Sequence, residues 1–149
     1  MGGQCKIRSA RPEDANALAK LMEELTGLPE DGTALGEQLA KMAAREEYHV
    51  LAAECDGEMA GAAMGILCEN LAPSCTPFLL VEDVVVSSAH QRKGVGKKLM
   101  EALEEIARGE GCVYICLVSQ EKRSGAHRFY EALGYDADRG FQKFLGRKP

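Results

Sequence analysis

A basic turn that carries two glycines, between a predicted strand and a predicted helix, gives the clearest chemical signal in the chain. Its sequence from residue 84 is Val-Val-Val-Ser-Ser-Ala-His-Gln-Arg-Lys-Gly-Val-Gly-Lys-Lys-Leu. The first amides of a helix have no partner within the helix and attract anions. Gly94 and Gly96 lack the β-carbons that would hold a pyrophosphate away from those amides. Four basic side chains surround the glycines: Arg92, Lys93, Lys97 and Lys98. The segment predicts a diphosphate site; the alternative is a tight turn followed by a solvated basic helix face.

Two common phosphate-binding loops do not fit this segment. A Walker loop requires glycine at position 91 and Ser or Thr at position 98, where Gln91 and Lys98 stand. A dinucleotide fingerprint requires a third glycine at position 99, which is Leu99. The diphosphate ligand therefore belongs to some other class.

Two adjacent carboxylates interrupt the apolar strand that leads into this turn. Glu82 and Asp83 follow Leu79-Leu80-Val81 and precede Val84-Val85-Val86. Adjacent residues of a strand face opposite sides of a sheet, and burying a carboxylate is costly unless it is paired. In a structural interpretation, a neighbouring element satisfies one carboxylate and the other lies at an exposed edge. In a chemical interpretation, one accepts a proton from a substrate ammonium and the other binds or orients that cation.

The elements that must position these residues alternate between strands and helices. Strand patterns cover residues 5–8, 49–55, 59–68, 78–86, 113–118 and 141–145. Helical patterns begin near Pro12, near Thr33, after the glycine turn and at Ser124, and Gly27 and Gly134 are typical helix ends. The pattern predicts an α/β protein with a mixed sheet and no linker long enough to divide it.

Composition restricts the class of protein. The 149 residues are 46% hydrophobic and 28% charged, with a formal net charge of -5. This length suits one domain over residues 1–149. No apolar run approaches the roughly 18–20 residues that span a bilayer, and no secretory pattern is present, so we expect a soluble, cytoplasmic protein with no membrane partner. The acidic balance disfavours nucleic acid and suits a cationic small substrate, although ordinary solubility has the same signature.

Six cysteines are spread through apolar stretches: Cys5, Cys55, Cys68, Cys75, Cys112 and Cys116. Without a secretory leader, we expect these thiols to be reduced and buried. Cys112 and Cys116 lack a Cys-x-x-Cys spacing and a partner His pair, so we expect no metal.

The glycine turn resembles the signature of the GCN5-related N-acetyltransferase (GNAT) superfamily, which is Gln or Arg, two residues, Gly, one residue, then Gly or Ala. Gln91-x-x-Gly94-x-Gly96 meets it. The segment Ala126-x-x-x-Tyr130-x-x-x-Gly134-Tyr135 looks like the family's downstream helix, with Ser124 or no residue in place of the expected Asn. The opening Arg-Pro-Glu-Asp also fits, so the resemblance covers most of the chain. The Glu-Asp pair is similar to that of diamine and glucosamine-6-phosphate N-acetyltransferases.

The resemblance implies transfer of an acetyl group from acetyl-CoA to a primary amine of a small molecule or peptide. Glu82 is our preferred general base, with Asp83 the alternative, and Tyr130 would be the general acid, since its phenol is protonated at neutral pH. A bulge near 84–86, usual in the family, would free amides for the pantetheine arm. The implied coenzyme contacts are Val84, Val85, Val86, Gln91, Arg92, Lys93, Gly94, Val95, Gly96, Lys97, Ser124 and Tyr130. For Ser124 the favoured alternative is a cap at the start of its helix, and for Tyr130 the alternative is a place in the apolar stripe of that helix.

The same resemblance implies the architecture. It is an α/β (α+β), three-layer fold with a mixed, mostly antiparallel sheet of six or seven strands and about four helices. Because local spacing assembles no Ser-His-Asp or Cys-His set, we expect direct attack by the amine without a covalent enzyme intermediate. Other readings stay open: another acyl donor, a non-catalytic module that senses acyl-CoA or binds a partner, and a homodimer, a frequent state among relatives. The acceptor amine is not specified.

Overall fold

The computed structural model describes residues 3–119 and 124–146. The strands are β1 (Cys5–Ser9), β2 (Tyr48–Cys55), β3 (Glu58–Cys68), β4 (Phe78–Val86) and β5 (Ile115–Cys116). The helices are α1 (Ala15–Thr26), α2 (Gly32–Ala43), α3 (Val95–Gly109) and α4 (Ser124–Ala132). Short 3₁₀ turns at Pro12–Asp14 and Ser88–His90 precede α1 and α3. Residues up to Cys116 form one compact unit, and the residues from Leu117 form a second, smaller one.

The five strands of the described residues form one sheet in the order β1-β2-β3-β4-β5. The first four strands pair antiparallel, and β5 pairs parallel to β4. The expected mixed, mostly antiparallel sheet is therefore confirmed. A hairpin turn at Asp56-Gly57 joins β2 to β3, with both residues in the left-handed region.

Helices cover both faces of this sheet. On one face, Leu18 and Leu21 of α1 and Leu39 of α2 pack against Ala62 and Val85 in a buried cluster. On the other face, α3 lies so close to β3 that a β-carbon on Gly61 would come within 3.2 Å of a Val95 methyl and within 2.8 Å of the Val85 carbonyl. Within the first unit, the layers are therefore helix, sheet and helix. The end of β4 lies in the sheet, and the start of α3 packs directly against it.

The predicted strand count is wrong in the described part of the chain. The strand expected over 113–118 is limited to Ile115–Cys116, where it pairs with Leu79 and Leu80. The strand expected over 141–145 is absent, and Phe141 and Leu145 are 88% and 94% exposed. Both segments have strand-like sequences, but a strand forms only where a neighbouring strand offers a hydrogen-bonding edge.

The expectation that all cysteines are reduced and buried is also wrong. Cys5 and Cys55 form a disulfide, and Cys75 is exposed. The physical reason is the register of β1 on β2, which places these two cysteines directly opposite each other, with Cα atoms 4.1 Å apart. Cys68, Cys112 and Cys116 are free and half-buried.

None of the described helices has the length and apolar character needed to cross a membrane. In the same residues, no group of three or more His, Cys, Asp or Glu side chains is arranged to hold a metal ion.

Candidate active site

Strand β4 is bulged at the carboxylate pair. Met64 pairs with Glu82 and Ala62 pairs with Val85, so Ala63 alone faces the two residues 83 and 84. Asp83 has a φ of 54°, in the left-handed region that short polar side chains such as Asp tolerate better than most. A bulge of this kind leaves its extra residue out of the hydrogen-bonded ladder. The bulge expected near 84–86 is therefore present, one residue nearer the carboxylates.

Glu82 and Asp83 both reach solvent, but the protein around them removes part of the water from each carboxyl group and makes it harder to ionise. Burial is the main cause that raises the pKa of Glu82, and the charge of Asp83 adds to it. Burial also raises the pKa of Asp83, with a further contribution from the charge of Glu30 in the α1–α2 loop. Raised carboxyl pKa values are what a general base near neutral pH requires.

The glycine turn presents backbone donors. Gly94 has a φ of 78°, which glycine adopts without the steric cost of a β-carbon, and Arg92 also lies in the left-handed region with a φ of 63°. No side chain caps α3, and its first hydrogen bond runs from the amide of Lys98 to the carbonyl of Gly94 at 3.1 Å. The amides of residues 95–97 therefore precede the bonded repeat and are the natural donors to an anion.

The side chains of the turn add charge around these amides. Arg92, Lys93 and Lys98 are exposed, and Lys97 makes only a long ion pair with Glu101, at 3.9 Å between exposed atoms. The side chain of Val95 is buried, so this residue can contribute only its backbone to a ligand. The turn thus has the shape and the charge that suit a diphosphate.

The other predicted site residues, Tyr130 and Ser124, belong to the second unit. Tyr130 of α4 is half-buried and makes edge-on ring contacts with Phe129, at 5.1 Å between centroids, and with Tyr135, at 6.0 Å. Gly134 ends the helix in the left-handed region, as predicted. Ser124 begins α4, but the role predicted for its side chain lies outside the described residues.

The family model of the acetyltransferase (GNAT) family matches residues 16–135, which include the bulged strand, the glycine turn and the helix that carries Tyr130. The chain belongs to the GNAT family. It is therefore an acetyltransferase, and the family's acyl donor is acetyl-CoA.

Individual GNAT relatives agree with this assignment. An uncharacterised N-acetyltransferase of Bacillus subtilis, YhfO, is 28% identical over 96% of this chain and 97% of its own. Glucosamine 6-phosphate N-acetyltransferase of Trypanosoma brucei brucei is 44% identical, over 38% of this chain and 37% of its own. A solved structure, a putative acetyltransferase from Agrobacterium tumefaciens, is 26% identical with a TM-score of 0.87, covering 94% of this chain and 99% of that one.

Two features of this GNAT site were not found by sequence reasoning. Ser87 and His90 are joined by a hydrogen bond of 2.7 Å between Oγ and Nδ1. Glu58 lies 3.6 Å from Nε2 of the same histidine, so β3 is tied to the turn. The spacing of Ser-x-x-His at a strand end is a weak signal for such a bond. No residue pattern near His90 predicts that Glu58, about 30 residues earlier in the chain, lies beside it.

The second feature is a cavity of about 360 Å³ between α1, α2 and strands β2, β3 and β4. Asp83 lines it, whereas Glu82 is not among its lining residues. The bulge thus gives the two adjacent carboxylates different surroundings. No sequence pattern could place the cavity, because its walls come from five elements.

Proposed function

We propose that this GNAT enzyme transfers the acetyl group of acetyl-CoA to a primary amine of a small molecule or peptide. The observation that carries the proposal is the junction of β4 and α3. A bulged strand with two carboxylates of raised pKa leads, within ten residues, to an uncapped helix start with four basic side chains. One short segment can therefore hold a diphosphate and accept a proton.

The turn holds the co-substrate in this proposal. The amides of residues 95–97 bind the pyrophosphate of coenzyme A, and Arg92, Lys93 and Lys97 balance its charge. Val84 and Val86, both half-buried beside the bulge, offer their backbone to the pantetheine arm. Acetyl-CoA supplies the thioester carbonyl that the amine attacks.

The carboxylates and the phenol move the protons. Glu82 accepts a proton from the substrate ammonium, directly or through water, and Asp83 binds or orients the cation. Glu82 passes that proton to solvent. The amine nitrogen then forms its bond to the carbonyl carbon as the carbon–sulfur bond breaks, and the nitrogen loses its second proton to Glu82 or to water. Tyr130 donates its phenolic proton to the departing thiolate, so the products are an amide and a neutral thiol. No acyl group passes through a side chain of the enzyme.

The test of this function is release of free thiol from acetyl-CoA when amines are added. Tyr130→Phe should lower kcat by about 10²-fold, because a positioned general acid contributes roughly 10²–10⁴-fold. The affinity for coenzyme A should hardly change. Tyr114→Phe is a matched control, since it removes a phenol from a ring that stacks on Phe78 outside the proposed machinery.

Two results would contradict the proposal at different points. If no amine stimulates thiol release, the protein does not use an amine acceptor, and the result would favour a module that only binds acyl-CoA. If kcat of Tyr130→Phe is unchanged at saturating substrates, Tyr130 is not the general acid and solvent protonates the thiolate.

A further inference from the structure

The cavity between α1, α2 and the bulged strand has an unusually simple chemistry. Among the described residues that line it, Asp83 is the one charged side chain, and none is Lys, Arg or His. Gln38 and Tyr48 are the other polar side chains, and the rest of the wall is aliphatic or thioether. Its volume of about 360 Å³ lies near the lower end of the roughly 300–1,000 Å³ of small-ligand sites.

The wall can adapt to an apolar guest. Met22 of α1 and Met42 of α2 are half-buried, and Leu35 of α2 lies beside them. Methionine side chains are flexible and polarizable, so they fill irregular gaps around different apolar shapes. Ala62 and Ala63 form a small-residue floor next to the bulge.

The single charge among the described cavity-lining residues is negative, and no described residue forms an ion pair with it. Within the described residues, Asp83 makes no hydrogen bond and no ion pair, and the charges that interact with it are those of two other acids, Glu30 and Glu82. These acids leave negative potential at the end of an apolar cavity. An ammonium group supplies the missing charge.

Other amine classes match the cavity poorly. A sugar phosphate needs charged donors to balance its phosphate, and the lining residues include no cation and only one amide side chain, Gln38. A polyhydroxylated or polycationic amine would bring polar groups into an apolar wall, where each group without a partner costs free energy. An alkyl or aryl group loses nothing there and gains from leaving water.

We propose that the acceptor of this enzyme is a primary amine on a compact apolar body, with the ammonium at Asp83 and the alkyl or aryl body between α1 and α2. This inference rests on the proposed function and narrows its substrate class.

The first experiment compares acceptors in the thiol-release assay at saturating acetyl-CoA. We expect kcat/KM for phenethylamine and hexylamine to exceed that for glucosamine 6-phosphate and spermidine by about 10-fold or more, about the discrimination that one to a few buried methylenes provide. A preference for the sugar phosphate or the polyamine would overturn the inference and leave the acetyltransferase function standing. No thiol release with any amine would instead contradict the proposed function.

The second experiment uses variants and includes a readout besides turnover. Met42→Trp fills the cavity, and Ala43→Trp places the same ring on the adjacent, exposed position of α2. Met42→Trp should raise KM for phenethylamine by about 10-fold and weaken its calorimetric binding equally, with KM for acetyl-CoA unchanged. Ala43→Trp should stay within about 2-fold of the wild type.

A folded control is needed for this comparison. If Met42→Trp loses the cooperative melting of the wild type, Met22→Phe serves as the smaller obstruction from the opposite wall. A folded cavity-filling variant that binds and acetylates phenethylamine as the wild type does would overturn the inference.

Discussion

Glu82 can act as a base only when its carboxyl group is ionised, and its surroundings oppose ionisation. Burial, and then the charge of Asp83, raise the pKa of this carboxyl. We predict that kcat/KM rises with pH through this raised pKa, above the ordinary value of about 4.3, because only the ionised form accepts a proton. Glu82→Gln should remove this limb of the pH profile and lower kcat/KM near neutral pH by about 10²-fold.

The same pKa has a consequence of definite sign for stability. A carboxyl group with a higher pKa in the folded chain than in the unfolded chain makes the free energy of unfolding depend on pH. That free energy falls as the pH rises from the pKa of the unfolded chain through the pKa of the folded chain. Glu82→Gln should flatten this part of a plot of Tm against pH. A rate profile that Glu82→Gln leaves unchanged would assign the base role to Asp83 or to solvent.

At the scale of elements, the start of α3 depends on one backbone conformation. Gly94 has a φ of 78°, and a β-carbon there would meet no atom within 4 Å. Gly94→Ala should therefore cost only the left-handed strain of about 1–2 kcal/mol, with no clash in the core. A turn that relieves this strain must move the amides of residues 95–97, which follow Gly94 directly, and we predict at least a roughly 10-fold weaker affinity for coenzyme A.

Calorimetry with coenzyme A checks this prediction, with Gly109→Ala as its control. Gly109 ends the same helix, and an added β-carbon there also meets nothing within 4 Å. Affinity that falls equally in both variants would show a general loss of helix stability. Affinity that falls in neither would place the diphosphate away from this turn.

Elements with a strong local signal could be predicted from the sequence. Strand β4 has the predicted bounds Phe78–Val86 because its apolar run is unbroken on both sides of the acids. The glycine turn was located because its residue types are unusual together. The strand predicted over 141–145 failed because strand formation depends on a partner edge that local sequence does not encode.

In the candidate site too, the features with a local sequence signal could be predicted and those that depend on strand register could not. A bulge could be expected from the family resemblance, but which residue becomes the extra one depends on the register of β3, which pairs Met64 with Glu82. That register gives Asp83, and not Glu82, a place in the cavity wall. Parity along a strand cannot predict this, because a bulge shifts every residue that follows it.

At the scale of the whole molecule, the disulfide joins two strands that the sequence separates by two helices. Cys5 and Cys55 are 50 residues apart, and the loop that they close contains α1 and α2, the outer walls of the cavity. Closing a loop of this length limits the unfolded chain and typically adds about 2–4 kcal/mol to the free energy of unfolding. The cross-link is therefore expected to stabilise the part of the fold that contains the cavity walls.

We predict that the unfolding midpoint of the oxidised protein falls on addition of dithiothreitol, and that Cys55→Ser lowers it to the same extent. Because that variant has no cross-link left to reduce, the reductant should not lower its midpoint further. Cys75→Ser, which alters an exposed free thiol, should leave both midpoints where they are in the wild type.

Titration of the denatured, unreduced wild type should find four thiols among the six cysteines. Six titratable thiols, with a midpoint that the reductant does not change, would mean that β1 and β2 pair through their ladder and the contact of Arg8 with Glu54 without a cross-link.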